Sequence, residues 1–175
     1  MISSDSKQAS KGHPIVLASF IFVLLGLSAG AQSTDTSSIL VNGEVTHILV
    51  LKATDLATMN RITYSTGEGD GPEQTFSGVS LADILDRAGA PLGKQLRKEN
   101  MTKYLLVKAG DGYQVLFTLP ELDSSFTDRT IFLADHLNGK TMPAGKGPFR
   151  IIVPGEKKHG RWIWDVRSLT IGTAK

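Results

Sequence analysis

The densest chemistry in the sequence is Glu156-Lys157-Lys158-His159-Gly160-Arg161-Trp162-Ile163-Trp164, which gathers three fixed cations, a histidine and two tryptophans. Ammonium and guanidinium groups on one loop offer positive charge and N–H donors to an anion. Indoles can wall such a site or stack on a planar ligand. Arg150 belongs with them, because it is flanked by the strand-forming residues of Phe149–Val153 and is thereby held in place. The candidate cofactor- or anion-binding residues are therefore Arg150, Lys157, Lys158, His159, Arg161 and Trp164. A solvated basic loop, with Trp162 or Trp164 plugging the core, is the competing reading. It suits the lysines better than the arginines. On a strand over Arg161–Asp165, Trp162 and Trp164 share parity and face one side.

Other reactive groups are scattered. His47 lies in an alternating segment and reads as a structural or surface residue, and His136 precedes Asn138-Gly139 and reads as a turn residue. With His159 they show no metal-ligand spacing, so no metal site is expected. The sequence contains no G-x-S-x-G elbow, H-E-x-x-H pair, Walker loop or dinucleotide fingerprint after a strand. The Gly-rich stretch Thr66–Gln74 carries three acidic residues that would repel phosphate, and reads as a solvated loop. The absence of cysteine excludes a disulfide scaffold, cysteine-ligated zinc or iron–sulfur, and a cysteine nucleophile. A net charge of +2 spread along the chain gives no nucleic-acid footprint.

The elements that position these residues follow from patterning. Residues 1–31 read as a secretory signal: Lys7 and Lys11, an uncharged run Ile15–Leu27, then Ala29 and Ala31 placed for cleavage after Ala31. The run is short of the roughly 20 residues of a spanning helix, so no stable membrane span is expected after cleavage. A chain so routed crosses unfolded, by a Sec-type signal, to the periplasm or exterior. No paired arginine precedes the run, so the twin-arginine route is not indicated. Residues 32–38 read as a loose tail, and 39–173 as one domain. Strands are expected at Ile39–Val41, Val45–Leu51, Arg61–Ser65, Tyr104–Ala109, Tyr113–Leu119, Thr130–Asp135, Phe149–Val153, Arg161–Asp165 and Val166–Ile171. Asn42-Gly43 and Asn138-Gly139 read as turns, and Gly93–Thr102 as a loop. One clear helix spans 80–88: Ser80 caps, Asp83 stands three residues on, Leu81, Ile84, Leu85 and Ala88 form one apolar stripe, and Gly89 stops it. The class is α+β, mostly β, with mixed sheets.

Several segments together resemble the molybdopterin-binding domain of the sulfite oxidase family. They are Phe76-Ser77-Gly78-Val79-Ser80-Leu81 with the helix after it, Ala109-Gly110-Asp111-Gly112-Tyr113, Asp135–Pro143, Gly147–Gly155 and Arg161–Val166. The resemblance covers Ile39–Thr173 and implies an α+β fold of several small sheets, an oxidoreductase and a molybdopterin cofactor. It also implies a cysteine thiolate on molybdenum, and this chain has no cysteine. A hydroxyl or carboxylate is no equivalent for that soft ligand. The family's arginine-rich neighbourhood of that cysteine has no counterpart between Gln32 and Phe76. Near the end Trp164 fits the family's tryptophan, but Ile163 stands where its lysine would be. Family members that carry the cofactor leave the cytoplasm folded, by the twin-arginine route. The expectation is therefore a domain of this fold without bound cofactor, binding a small anion, a planar ligand or an envelope protein. The alternative is a small molybdopterin-dependent oxidoreductase acting on an oxyanion.

Overall fold

The computed structural model describes residues 38–67, 72–143 and 145–174. The proposed signal, and all but the last residue of the tail, lie outside these. Among the described residues no helix is long and apolar enough to cross a membrane.

Alternating apolar residues build the first sheet. Strand β1 (Ser38–Gly43) buries Ile39 and Val41 and turns Leu40 outward. It pairs antiparallel with β2 (Leu49–Lys52) and parallel with β10 (Val166–Thr173). The hairpin β5 (Lys103–Ala109) and β6 (Gln114–Thr118) completes the order β2-β1-β10-β5-β6. Leu105, Val107, Val115, Phe117, Leu169 and Ile171 point inward, all nearly inaccessible. The second sheet runs β3 (Arg61–Gly67), β4 (Glu73–Ser80), β7 (Phe132–Leu137), β8 (Lys140–Thr141), with β9 (Arg150–Ile152) on the same edge of β7 as β8. Strand β7 is central, and Phe132, Leu133, Ala134 and Asp135 are all buried.

A four-residue helix α1 (Ala53–Leu56) follows β2, and the clear helix expected over 80–88 is α2 (Leu81–Arg87). Ser80 Oγ accepts from the Asp83 amide at 3.1 Å, satisfying one orphan donor of the first turn. Leu81, Ile84, Leu85 and Ala88 are completely buried. Each of the larger three contributes about 1.5–3 kcal/mol in transfer free energy. The mixed-sheet α+β architecture agrees with the expectation from sequence.

Four local expectations fail for physical reasons. Val45–Ile48 is not strand: the His47 amide donates to Ala88 O at 2.9 Å and Thr46 Oγ1 to Gly89 O at 3.1 Å, so this segment satisfies the C-terminal carbonyls of α2. Asn42-Gly43 is the end of β1 and not a turn. The expected loop Thr66–Gln74 is strand at both ends, since β3 runs on to Gly67 and β4 already starts at Glu73. The segment Arg161–Asp165 is not a strand. A 3-10 turn over His159–Arg161 leads into it, closed by the Trp162 amide on His159 O at 3.0 Å. The shared parity of Trp162 and Trp164 is lost with it. Trp162 and Ile163 are both buried, and Trp164 is half-buried. Gly93–Thr102 contains two 3-10 turns, Gly93–Gln95 and Lys98–Thr102, within the expected loop.

Candidate functional site

Strand β9 carries Arg150 into the interior, where it is only 3% exposed. Its guanidinium carbon lies 3.3 Å from the centroid of the Trp164 ring, 5.2 Å from Phe76 and 5.4 Å from Trp162. Its Nε faces Trp162 O at 3.4 Å. A cation closed within three aromatic faces is stabilised by their quadrupoles and by desolvation of the contact. Trp162 is fixed in turn: its Nε1 donates to Val153 O at 3.1 Å, and Phe76 and Tyr64 meet its ring edge-on. His159 stacks on the Trp162 ring at 4.0 Å. Lys146 lies 5.2 Å from the Trp164 centroid. A hollow of about 190 Å³, with Asp111, Tyr113, His159, Trp162 and Trp164 on its walls, opens beside this stack. The Tyr113 hydroxyl closes one side by donating to Gly160 O at 2.9 Å.

The structure thus brings Arg150, His159 and Trp164 together around Trp162. Lys157 and Lys158 are exposed on the loop. Arg161 points elsewhere. It donates through Nε to Glu156 Oε1 at 2.7 Å, pairs again with that oxygen through Nη2, reaches Glu121 Oε1 at 3.1 Å, and covers the Phe117 ring at 4.7 Å. Burial would lower the Arg161 pKa, but the hydrogen bonds it donates to Glu156 and Glu121 outweigh it and the net shift is upward. Two carboxylates already neutralise this guanidinium.

A second polar cluster lies on the other sheet. The register of β4 against β7 slips between Ser77 and Gly78, so that β7 carries one extra residue. Such a bulge re-aims side chains, and here Asp135 and His136 come into contact. Asp135 Oδ1 lies 2.8 Å from His136 Nδ1, while Arg61 grips both oxygens, Nη1 to Oδ2 at 2.8 Å and Nη2 to Oδ1 at 2.5 Å. The Asp135 side chain is 2% exposed. Burial alone would raise its pKa, but the hydrogen bonds from Arg61 and His136 prevail and hold the carboxyl below the usual range. A carboxylate only accepts, so His136 donates through Nδ1. His136 is therefore a strand residue tied to a buried carboxylate, not a turn residue. The sequence did carry a signal for this cluster: an aspartate inside the apolar run Ile131–Leu137 demands a cationic partner.

The donor set does not fit molybdenum held by a thiolate, since none of the 175 residues is cysteine. Among the described residues no cluster of three His, Asp or Glu side chains is arranged to hold a metal either. The fold and the sequence pattern nevertheless define a class. Residues 28–171 match the family described as the oxidoreductase molybdopterin binding domain, and the chain belongs to that family. Among solved structures it is similar to the sulfane dehydrogenase SoxCD from Paracoccus pantotrophus, at 22% identity and a TM-score of 0.59. That likeness covers 77% of this chain but 37% of the SoxCD chain. No curated protein matches in sequence.

Proposed function

We propose that this chain is a ligand-binding domain built on the molybdopterin-domain scaffold. In this reading it works outside the cytoplasm, after export by a Sec-type signal cleaved behind Ala31, and binds a small anionic or planar ligand without molybdenum. The observation that carries it is the complete absence of cysteine in a chain of this family. Aromatic rings border two of its hollows, Tyr64 one and Trp162 with Trp164 the other, and can receive a planar group. An envelope protein is a further partner this reading allows.

The test is elemental analysis for molybdenum and tungsten, with pterin fluorescence, on protein taken from its native compartment, and N-terminal sequencing of the same sample. The expected result is neither metal nor pterin, and a chain starting at Gln32. Metal near one per chain would overturn the reading. The second reading, a small molybdopterin-dependent oxidoreductase acting on an oxyanion, is favoured by the family match itself. It would then stand, with a first coordination shell lacking protein sulfur.

A further inference from the structure

The ligand-binding reading leaves open which cleft is used, and the arginines decide it. Arg61, Arg150, Arg161 and Arg167 all have carboxylate or aromatic partners. Arg87 and Arg97 are exposed. Arg129 differs from all of these. It is half-buried, its backbone amide is anchored on Thr127 Oγ1 at 3.1 Å, and its guanidinium has no hydrogen bond or ion pair among the described residues. Arg129 lines a cleft of about 770 Å³, within the size range of small-molecule sites. Ile62, Tyr64, Phe132 and Pro154 supply its apolar walls. Tyr64 is held edge-on by Trp162 at 6.3 Å, yet its hydroxyl has no partner among the described residues. A fixed aromatic wall, an unsatisfied phenol and an unpaired guanidinium thus share one concave surface.

Resting on the ligand-binding reading, we infer that this cleft, and not the Lys157–Trp164 loop, is the ligand site, and that it takes an aromatic monocarboxylate. The planar body lies against Tyr64 and Ile62, over a floor that Phe132 backs from the core, and the carboxylate meets the fork of Arg129, which matches it with two parallel N–H donors. Asp128 lines the same cleft. Its negative charge penalises a second anionic group, so a single head group is selected over a polyanion.

The test uses 2-naphthoate and its neutral analogue 2-naphthamide against the purified protein, by calorimetry and by amide shifts in the NMR spectrum. Metal content is measured on the same sample, so that failure of the cofactor-free reading is seen separately. Naphthoate is expected to bind one per chain, to shift Thr63, Tyr64 and Thr130, and to bind roughly tenfold tighter than the amide, the ratio expected of a charge-assisted pair. Arg129→Ala should remove that tenfold preference and leave the amide unchanged, Arg129→Lys should keep part of it, and Tyr64→Phe should weaken naphthoate a few-fold. Equal binding of both probes, shifts centred on His159 and Trp164, no binding of naphthoate, or an Arg129→Ala protein with wild-type preference would each overturn the assignment.

Discussion

Asp135 is the residue whose chemistry is least compatible with its position unless its partners are present. A carboxylate 2% exposed must be neutralised or fully hydrogen-bonded, and Arg61 and His136 do both. Replacing it by asparagine keeps the shape but points an amide donor toward guanidinium donors. The expected cost at neutral pH is about 1–3 kcal/mol, the penalty for an unsatisfied buried group. The sign with pH follows from the direction of the shift. The native carboxyl titrates below its ordinary value of 3.8, so the network stabilises the fold fully above that value. The contribution is lost as pH falls through the lower native pKa. Urea denaturation of wild type and Asp135→Asn should show a gap at pH 7 that closes in strong acid. A gap unchanged at the lowest pH would mean that the charge of Asp135 contributes nothing.

At the level of elements, the pairing of β4 with β7 sets the second sheet, and one glycine permits it. A Cβ on Gly78 would lie 1.9 Å from Leu133 O, inside the strand pair, where no flexible side chain can yield. Gly78→Ala should therefore force the strands apart and displace the bulge that presents Asp135 and His136. A loss of more than about 3 kcal/mol, or failure to fold, is expected. Thermal unfolding by circular dichroism measures it, and a stable alanine variant would show that the pairing tolerates a shift. This element also shows where sequence patterning loses sight of structure. Helix α2 was legible because cap, stripe and stop act within a few neighbouring residues. Strand β4 was not: Glu73, Gln74, Thr75 and Ser77 interrupt the apolar pattern, and what makes them strand is pairing with β3 along the whole length, joined from Phe76 onward by β7 on the other side. The 3-10 turn at His159–Arg161 was hidden for the converse reason, since Arg161–Val166 has strand-forming residues but Arg161 is drawn to Glu121 and Glu156.

For the whole molecule, the decisive cation is Arg150, and its role is a matter of where it sits between parts. It reaches from β9 to Phe76 on β4 and to Trp162 and Trp164 on the segment leading into β10, so it connects the second sheet to the chain that enters the first. The sequence singles out Arg150 but not its surroundings, because Phe76 lies 74 positions before it and the two tryptophans follow it, a separation no local pattern encodes. Its 3% exposure and its stacking on Trp164 make it part of the core. Arg150→Ala should then cost about 2–4 kcal/mol, combining a lost desolvated cation–π contact with the cavity left behind. Arg150→Lys should recover little, since an ammonium cannot lie flat on an indole as a guanidinium does. High salt should leave both losses nearly unchanged, because buried contacts are weakly screened. Chemical denaturation at low and high ionic strength measures all of these. An Arg150→Ala protein as stable as wild type would show that the guanidinium contributes nothing to this core and would return Arg150 to the list of candidate ligand-binding cations.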